Sequence, residues 1–338
     1  MSDIKHLLVI RLSSMGDVAM SVPVLAAFSN THPGIKLTVL TKKQFAPLFR
    51  DLKMVTVLLA DFTTTHKGVL GLYRLSKQIR NAGIDAVADL HNVLRTRVLK
   101  LFLFWVNFAQ IDKGRTEKKA LVTGEIATPL RSTPQRYADV FRELGFEFDI
   151  DKTSFPVAKQ LDATVIREIG AFSKPTIGIA PFAAYASKTY PLSKMEKVIL
   201  ELQQEFQVLL FGGGPNETKL LKKIASKHQN VFCVAGTFEL DQELDIISNL
   251  TVMLSMDSSN GHMAAMFGVK VVTIWGVTHP NAGFAPFGQL DKNNLLSDQK
   301  KYPAIPTSIY GNEYPEGYEL AIETISVKKV VKTVKDNL

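Results

Sequence analysis

Cysteine is almost missing from this sequence. Cys233 is the single one among 338 residues, so no disulfide can form within the chain and no C-x-x-C motif exists, which fits a reducing cytoplasm. The seven histidines, at positions 6, 32, 66, 91, 228, 262 and 279, show no metal-ligand spacing, and neither a metal nor another cofactor is expected. Long hydrophobic runs are missing too. The longest strongly apolar stretch, 101–106 in Lys100-Leu-Phe-Leu-Phe-Trp-Val-Asn107, is far shorter than the roughly 20 residues a membrane-spanning helix needs. The N-terminal Met1-Ser2-Asp3-Ile4-Lys5-His6 runs straight into a short apolar strand with no signal-peptide pattern. The glycine fingerprint G-x-G-x-x-G, the P-loop Gly-Lys-Ser/Thr and the nucleophile elbow G-x-S-x-G are all absent, which disfavours nicotinamide dehydrogenases, P-loop enzymes and α/β-hydrolases.

What is present describes a well-packed protein. Hydrophobic residues make up 46% and charged residues 21%, enough apolar material for two cores at this length and no sign of disorder. The net charge of +8 is uneven: residues 1–150 hold 21 Lys/Arg against 13 Asp/Glu, and residues 151–338 hold 19 of each. An anionic partner or membrane surface for the first half explains the excess, and so does plain solubility. The basic residues are scattered, with no nucleic-acid-binding motif among them, so nucleic acid is not an expected partner.

Hydrophobic patterning predicts a repeating strand–helix order, hence an α/β chain with parallel sheets. In the first half, strands are expected at 7–12, 37–40, 55–59 and 86–90. Helices are expected at 18–28 (with Pro23 near the start or at a kink), at 69–82, and from about 95 through Phe108. The pattern weakens around 146–175, near Pro156 and Pro175, and restarts with strands at 176–180, 208–211, 231–234, 252–255 and 269–274. Helices are expected between them at 193–205, 217–228, 240–249 and 260–267, with a last one at 327–334. The expected organisation is two doubly wound domains, 1–160 and 172–325, and a C-terminal helix within 326–338. Cys233 lies in an apolar strand and reads as a buried residue more readily than as a reactive thiol.

In such sheets ligands bind beyond the carboxyl ends of the strands, which singles out the loops 13–17, 89–92, 181–191, 212–217 and 257–262. In the first, Ser14 and Gly16 allow close approach of a ligand to the backbone, and the helix start favours an anion. Asp17 there is either a helix cap or a carboxylate placed to take a proton from a hydroxyl. Lys188 either neutralises a diphosphate or is an ordinary surface lysine. Glu217 accepts hydrogen bonds from a ribose diol or is an ordinary acid of a first helical turn. The run Asp257-Ser258-Ser259-Asn260-Gly261-His262 is the strongest local signal: a strand leads into a hydroxyl-rich turn and a helix start, a seat suited to a pyrophosphate. Taken singly, Asp257 reads as a turn residue and His262 as a structural one. Arg95, Arg97 and Lys100 either meet phosphates of an anionic acceptor or membrane, or face outward from a core helix.

The order of these motifs says more than any one of them. Arg11-Leu-Ser-Ser-Met-Gly-Asp17 closely resembles the opening motif of glycosyltransferase family 9, the ADP-heptose:lipopolysaccharide heptosyltransferases. The resemblance continues through Asp89-Leu-His-Asn92, Lys188-Thr-Tyr-Pro191, Gly214-Pro-Asn-Glu217, Asp257-Ser-Ser-Asn-Gly-His262 with Ala264-Ala265, and Ile274-Trp-Gly-Val-Thr-His-Pro280, covering roughly 5–290. It implies a GT-B fold of two Rossmann-like domains facing across a cleft, an acceptor-binding N-terminal domain and a nucleotide-binding C-terminal one. It also implies metal-independent inversion at the anomeric carbon, with an ADP-sugar as donor and an anionic glycolipid of the lipopolysaccharide core as acceptor. Such work is done in the cytoplasm, at the inner face of the inner membrane. By the same resemblance Asp17 is the general base, Lys188 the cation on the departing diphosphate and Glu217 the ribose ligand. Asp257 with Ser258, Ser259, Asn260, Gly261 and His262 walls the phosphates and sugar, and Ser14 and Gly16 also lie near the donor. The chain departs from the family where Asp257-Ser258-Ser259 stands for the usual Asp-Thr-Gly, and in the Pro- and Tyr-rich 302–318. Alternatives that remain are another nucleotide-sugar transferase or epimerase of the same fold, and a catalytically silent nucleotide-sugar-binding protein.

Overall fold

The structure, a computed structural model, describes residues 4–172 and 174–338. The chain forms two compact units, Met1–Lys113 with Arg131–Phe155, and Gly114–Leu130 with Pro156–Leu338. The first contains β1 (His6–Ile10), α1 (Met15–Thr31), β2 (Lys36–Thr41), β3 (Val55–Leu59), α2 (Gly68–Asn81), β4 (Ala86–Asp89), α3 (Leu94–Phe102) and β5 (Asn107–Gln110). Its strands are all parallel, in the order β3-β2-β1-β4-β5. Every residue of β1 is buried, which is why it reads as one unbroken apolar run: helices cover both faces of a parallel sheet.

Two expectations for this unit are corrected. The first helix starts at Met15, earlier than the apolar pattern implies, so Pro23 falls mid-helix. The missing N–H is tolerated because all residues from Val18 to Phe28 are buried, and packing outweighs one lost bond. The helix expected to run through Phe108 ends at Phe102, and Phe108 pairs with Val87 as part of β5. A short apolar run such as 101–108 has no periodicity that separates helix from strand.

Next come α4 (Arg115–Val122), which belongs to the second unit, and α5 (Thr133–Glu143), which returns to the first. The second unit goes on with α6 (Ala163–Ile169), β6 (Thr176–Ala180), α7 (Leu192–Leu202), β7 (Gln207–Leu210), α8 (Gly214–Ala225), β8 (Val231–Cys233) and α9 (Leu240–Ser248). It closes with β9 (Val252–Met256), α10 (Ser259–Ala265), β10 (Lys270–Trp275), β11 (Asn294–Leu296) and α11 (Val327–Lys335). The sheet is parallel, in the order β11-β10-β9-β6-β7-β8. Burial and the desolvation it brings raise the Cys233 thiol above its usual range, the opposite of a reactive thiolate.

The unit boundaries differ from the simple division at about residue 160. Segment 114–130 packs with residues far along the chain: the Leu130 N–H donates to Asn281 O (2.8 Å), Asn281 Nδ2 donates to Ala127 O (3.2 Å), and the Lys118 ammonium lies 4.2 Å above the Phe284 ring. Nor does α11 stand apart, since Val330, Val331 and Val334 enter the core of the second unit beside Val198 and Ile199 of α7.

Candidate active site

Strand order decides where each sheet can hold a ligand. In the first unit the chain builds outward from β1 to β2 and β3, then returns to place β4 on the other side of β1. Connections leaving β1 and β4 go to opposite sides, which opens a crevice beyond their carboxyl ends. In the second unit the same reversal falls between β6 and β9. Asp17 in the first turn of α1 follows β1, and the loops after β4, β6 and β9 carry His91, Lys188 and Asp257.

After β1 the chain passes Ser13 and Ser14, whose peptide bond is cis, and enters α1. Asp17 accepts the Ser14 N–H (3.2 Å) and Ser14 Oγ–H (2.7 Å) on Oδ2, and the same oxygen pairs with Arg11 Nη2 at 2.8 Å. The capping role is thus realised, and an ion pair is added to it. Arg11, its side chain 8% exposed, also donates from Nη1 to Leu90 O (2.6 Å), tying the loop after β1 to the loop after β4. Tyr137 of α5 completes the support: its hydroxyl donates to Asp17 O (3.2 Å) and its ring lies 5.6 Å from the Arg11 guanidinium. Burial pushes that phenol well above its ordinary range, so it stays a donor. Gly16 is buried in the first turn.

The loop after β4 is shaped by Asp89, which is fully buried. Its Oδ1 accepts the N–H groups of His91 and Asn92, both at 2.9 Å, and its Oδ2 accepts from Gln110 (2.9 Å). Asn92 takes a left-handed conformation, φ 43°, which asparagine tolerates better than most side chains. The turn aims His91 at Ser13, with Nε2 3.5 Å from Ser13 Oγ and Nδ1 buried without a hydrogen-bond partner. Burial first, then the charges of Arg11, Lys113 and Lys42, hold the imidazole down at about 3, against an opposing pull from Asp17. His91 is therefore neutral at physiological pH, in surroundings where cations outnumber Asp17.

That displacement has a measurable consequence. Unfolded, the ring takes up a proton near 6.5; folded, only near 3. The unfolded chain binds more protons between those values, so the stability His91 contributes above pH 6.5 is lost as pH falls toward 3. We expect His91→Gln to remove roughly 3 kcal/mol of acid-induced destabilisation, allowing for solvent screening of a partly exposed ring. Thermal melts from neutral pH down to about pH 4 check this: an unchanged slope would assign acid lability to other groups.

In the second unit Lys188 Nζ donates to Asp257 Oδ2 at 3.1 Å, with the two side chains 11% and 13% exposed. Thr278, following β10, donates to the same oxygen at 3.0 Å. Lys188 is thus a buried, oriented cation rather than a surface lysine. Beside it the Ser258 Oγ is buried with no hydrogen-bond partner, a burial that costs about 1–3 kcal/mol. Ser259 and Asn260 form the half-buried first residues of α10, and His262 is buried within it. Gly261 serves packing: a Cβ there would lie 2.5 Å from Ser255 Oγ. Glu217 lies in the first turn of α8, where Oε2 accepts the Gly213 N–H (2.8 Å), so its first-turn role is also realised.

Arg95, Arg97 and Lys100 are exposed on α3. Arg97 Nε donates to Asn92 Oδ1 (3.0 Å), Lys100 to Gln110 Oε1 (3.2 Å), and the Arg95 guanidinium lies 4.2 Å from the Phe62 ring. Arg97 and Lys100 are thereby bound to the Asp89 turn rather than lying loose on the surface.

Tyr137 beside Asp17 and Gly311 beside Lys188 were not singled out from the sequence, and Arg11, Ser187 and Thr278, which lie in or next to the motifs, were given no role of their own. Gly311 lies in the 302–318 segment that does not match the family, yet its φ is +80° and a Cβ would come within 2.7 Å of Lys188 Cγ. Its carbonyl accepts the Ser187 hydroxyl. We expect Gly311→Ala to displace Lys188, with about 1–2 kcal/mol of lost stability from the strained backbone. A thermal melt of the variant tests it, and an unchanged melting temperature would mean that the backbone and Lys188 adapt. A glycine between Tyr310 and Asn312 is the sequence signal, and it is a weak one.

Among the described residues, no group of three or more His, Cys, Asp or Glu side chains is gathered as a metal site requires, and no helix is long and apolar enough to cross a membrane.

Two parallel-sheet α/β units, each with polar side chains collected at its strand reversal, are the construction of GT-B glycosyltransferases. The solved structure of a family 9 glycosyl transferase from Veillonella parvula superposes with a TM-score of 0.76 at 18% identity, covering 100% of this chain and 98% of that one. That of the E. coli heptosyltransferase WaaC with ADP does so with a TM-score of 0.68 at 17% identity, over 98% and 100%. The profile of glycosyltransferase family 9 (heptosyltransferase) matches residues 72–309, and the chain belongs to that family. In sequence it is 25% identical over 300 residues to the lipopolysaccharide core heptosyltransferase OpsX of Haemophilus influenzae, covering 87% of this chain and 84% of that protein.

Proposed function

We propose that this chain transfers heptose from ADP-heptose to an anionic glycolipid of the lipopolysaccharide core, with inversion at the anomeric carbon and without a metal. The observation that carries the reading is the buried Lys188–Asp257 pair at the strand reversal of the second sheet, a fixed cation where a nucleotide diphosphate would bind. The relative from H. influenzae is named for lipopolysaccharide core heptosyl transfer, and the E. coli neighbour is described with ADP, which supports both halves of the proposal.

In this reading the Asp17 carboxylate takes the proton of the acceptor hydroxyl while the hydroxyl oxygen attacks the anomeric carbon. The bond from that carbon to the β-phosphate oxygen breaks on the opposite side, and its electron pair leaves with ADP. Lys188, kept in place by Asp257 and Thr278, stabilises the charge that grows on the diphosphate, and the Ser258 hydroxyl donates to it. Glu217 accepts from the ribose diol. Ser14 and Gly16 serve a ligand at the start of α1 in the first unit, and Ser259, Asn260, Gly261 and His262 wall the phosphates and sugar in the second. Arg95, Arg97 and Lys100, with the cations around His91, receive the acceptor's phosphates and acidic sugars. The work takes place in the cytoplasm at the inner membrane face, with no nucleic-acid partner.

Thermal stabilisation by ADP, UDP, GDP, CMP and NAD, each at the same concentration, is the direct test, since a ligand that binds only the folded state raises the melting temperature. We expect a rise with ADP alone, followed by turnover of ADP-heptose. A preference for UDP or GDP would keep the transferase and discard heptose, and a response to NAD alone would overturn the reading.

A further inference from the structure

One face of the first unit carries large apolar side chains that stay exposed among the described residues. Leu70 of α2 is 75% exposed, Leu101 of α3 is 73% exposed, and Phe104, just after α3, is 85% exposed. They form one surface, because α2 and α3 pack side by side: Tyr73 meets Phe102 edge-on at 5.6 Å, and Trp105 meets Phe104 at 5.6 Å. Cations are interleaved with them. The Lys77 ammonium lies 4.7 Å from the Tyr73 ring and the Arg80 guanidinium 5.1 Å from the Trp105 ring. Arg74 is exposed on the same helix.

Carboxylates are sparse along this stretch of chain. Between residues 62 and 111 the only carboxylates are Asp85 and Asp89. The first accepts the backbone N–H groups of Lys5 and His6, and the second is fully buried under its turn. Exposed leucine, phenylalanine and tryptophan within a field of lysine and arginine suit one kind of partner, a bilayer surface with anionic headgroups. Cations meet the headgroups, aromatic rings sit at the interface, and the aliphatic tips enter the acyl region. A second copy suits the face poorly, since a twofold pairing sets cation against cation.

We infer that the α2–α3 face, through Leu70, Tyr73, Leu101, Phe104 and Trp105 and the cations among them, inserts shallowly into an anionic lipid surface. The inference goes beyond the transfer reaction and stands independently of it, because none of the five side chains belongs to the proposed transfer site. It adds an apolar insertion to the charge-based contact that the basic first half alone implies.

The two tryptophans make it testable. Trp275 is 1% exposed in the core of the second unit, so a lipid-dependent fluorescence change reports Trp105. The full chain is mixed with phosphatidylglycerol–phosphatidylcholine vesicles, with and without lipid brominated in mid-chain, and sedimented. We expect binding that weakens in high salt and on pure phosphatidylcholine, together with quenching by the brominated lipid. Trp105→Phe should abolish the quenching and still sediment. Leu70→Ser with Phe104→Ser, at an unchanged unfolding temperature, should lower partitioning roughly tenfold or more. Wild-type protein that stays in the supernatant at low salt, an unquenched Trp105, or a double variant that binds as the wild type does would each overturn the inference. So would a wild-type dimer that the double variant dissociates, which would place a second copy on this face.

Discussion

Asp17→Asn should lower turnover by roughly 10²–10⁴-fold while the protein stays folded. The amide keeps the shape of the carboxylate and one acceptor oxygen for the Ser14 N–H, so α1 remains capped. What it loses is the capacity to take a proton, and with it the ion pair to Arg11 at 2.8 Å. Arg11 has few other options, being 8% exposed and already bonded to Leu90 O, so some loss of stability accompanies the loss of rate. Because proton removal is realised in the transition state, kcat and kcat/KM should fall together, with little change in donor affinity. The measurement is steady-state turnover of ADP-heptose with a soluble acceptor, alongside a thermal melt. Near-full turnover in a folded Asp17→Asn protein would reduce Asp17 to a helix cap.

Asp257→Ala should be the most destabilising of the site substitutions, by about 3–5 kcal/mol. It strands the Lys188 ammonium in a place where only 11% of its side chain reaches solvent, and it leaves the Thr278 hydroxyl without its acceptor. A melting temperature lower by roughly 10 °C is the expected sign in a unit of this size. Replacing both partners, as Lys188→Met with Asp257→Leu, should recover much of that stability, because two apolar groups do not carry an uncompensated buried charge. The double variant should still show no rise in melting temperature with ADP, which separates the fold's need for a balanced pair from the ligand's need for a cation. If Asp257→Ala melts as the wild type does, water reaches the pair and the expected cost disappears. If the double variant still responds to ADP, Lys188 is not the phosphate ligand.

The motifs that resemble glycosyltransferase family 9 were legible in the sequence because each is a local feature: a strand end, a turn and a helix start within a few residues. Asp17, Lys188, Glu217 and Asp257 all lie at such junctions, and the structure shows the local role of each. The partners around them were illegible for a physical reason. Tyr137 reaches Asp17 across 120 residues of chain, and Ser187 reaches Gly311 across 124. Nothing in the composition near either end records that closure.

Hydrophobic period determined the fold class by itself. Continuous apolar runs such as His6–Ile10 and Val252–Met256, separated by amphipathic helices, leave few alternatives to parallel sheets covered on both faces. The same period could not decide the run 101–108, where helix and strand bury similar side chains, nor assign segment 114–130, whose partners lie beyond residue 280. Strand order was the largest unknown. Parallel strands of like composition can be arranged in many sequences around a sheet, and only the orders β3-β2-β1-β4-β5 and β11-β10-β9-β6-β7-β8 put β4 next to β1, where Arg11 reaches Leu90 O, and β9 next to β6, where Lys188 meets Asp257. The sequence determined which side chains were available and at which strand ends. The tertiary structure decided which of them stand together, because pairing across a sheet depends on packing free energy summed over the whole unit and not on any local stretch of chain.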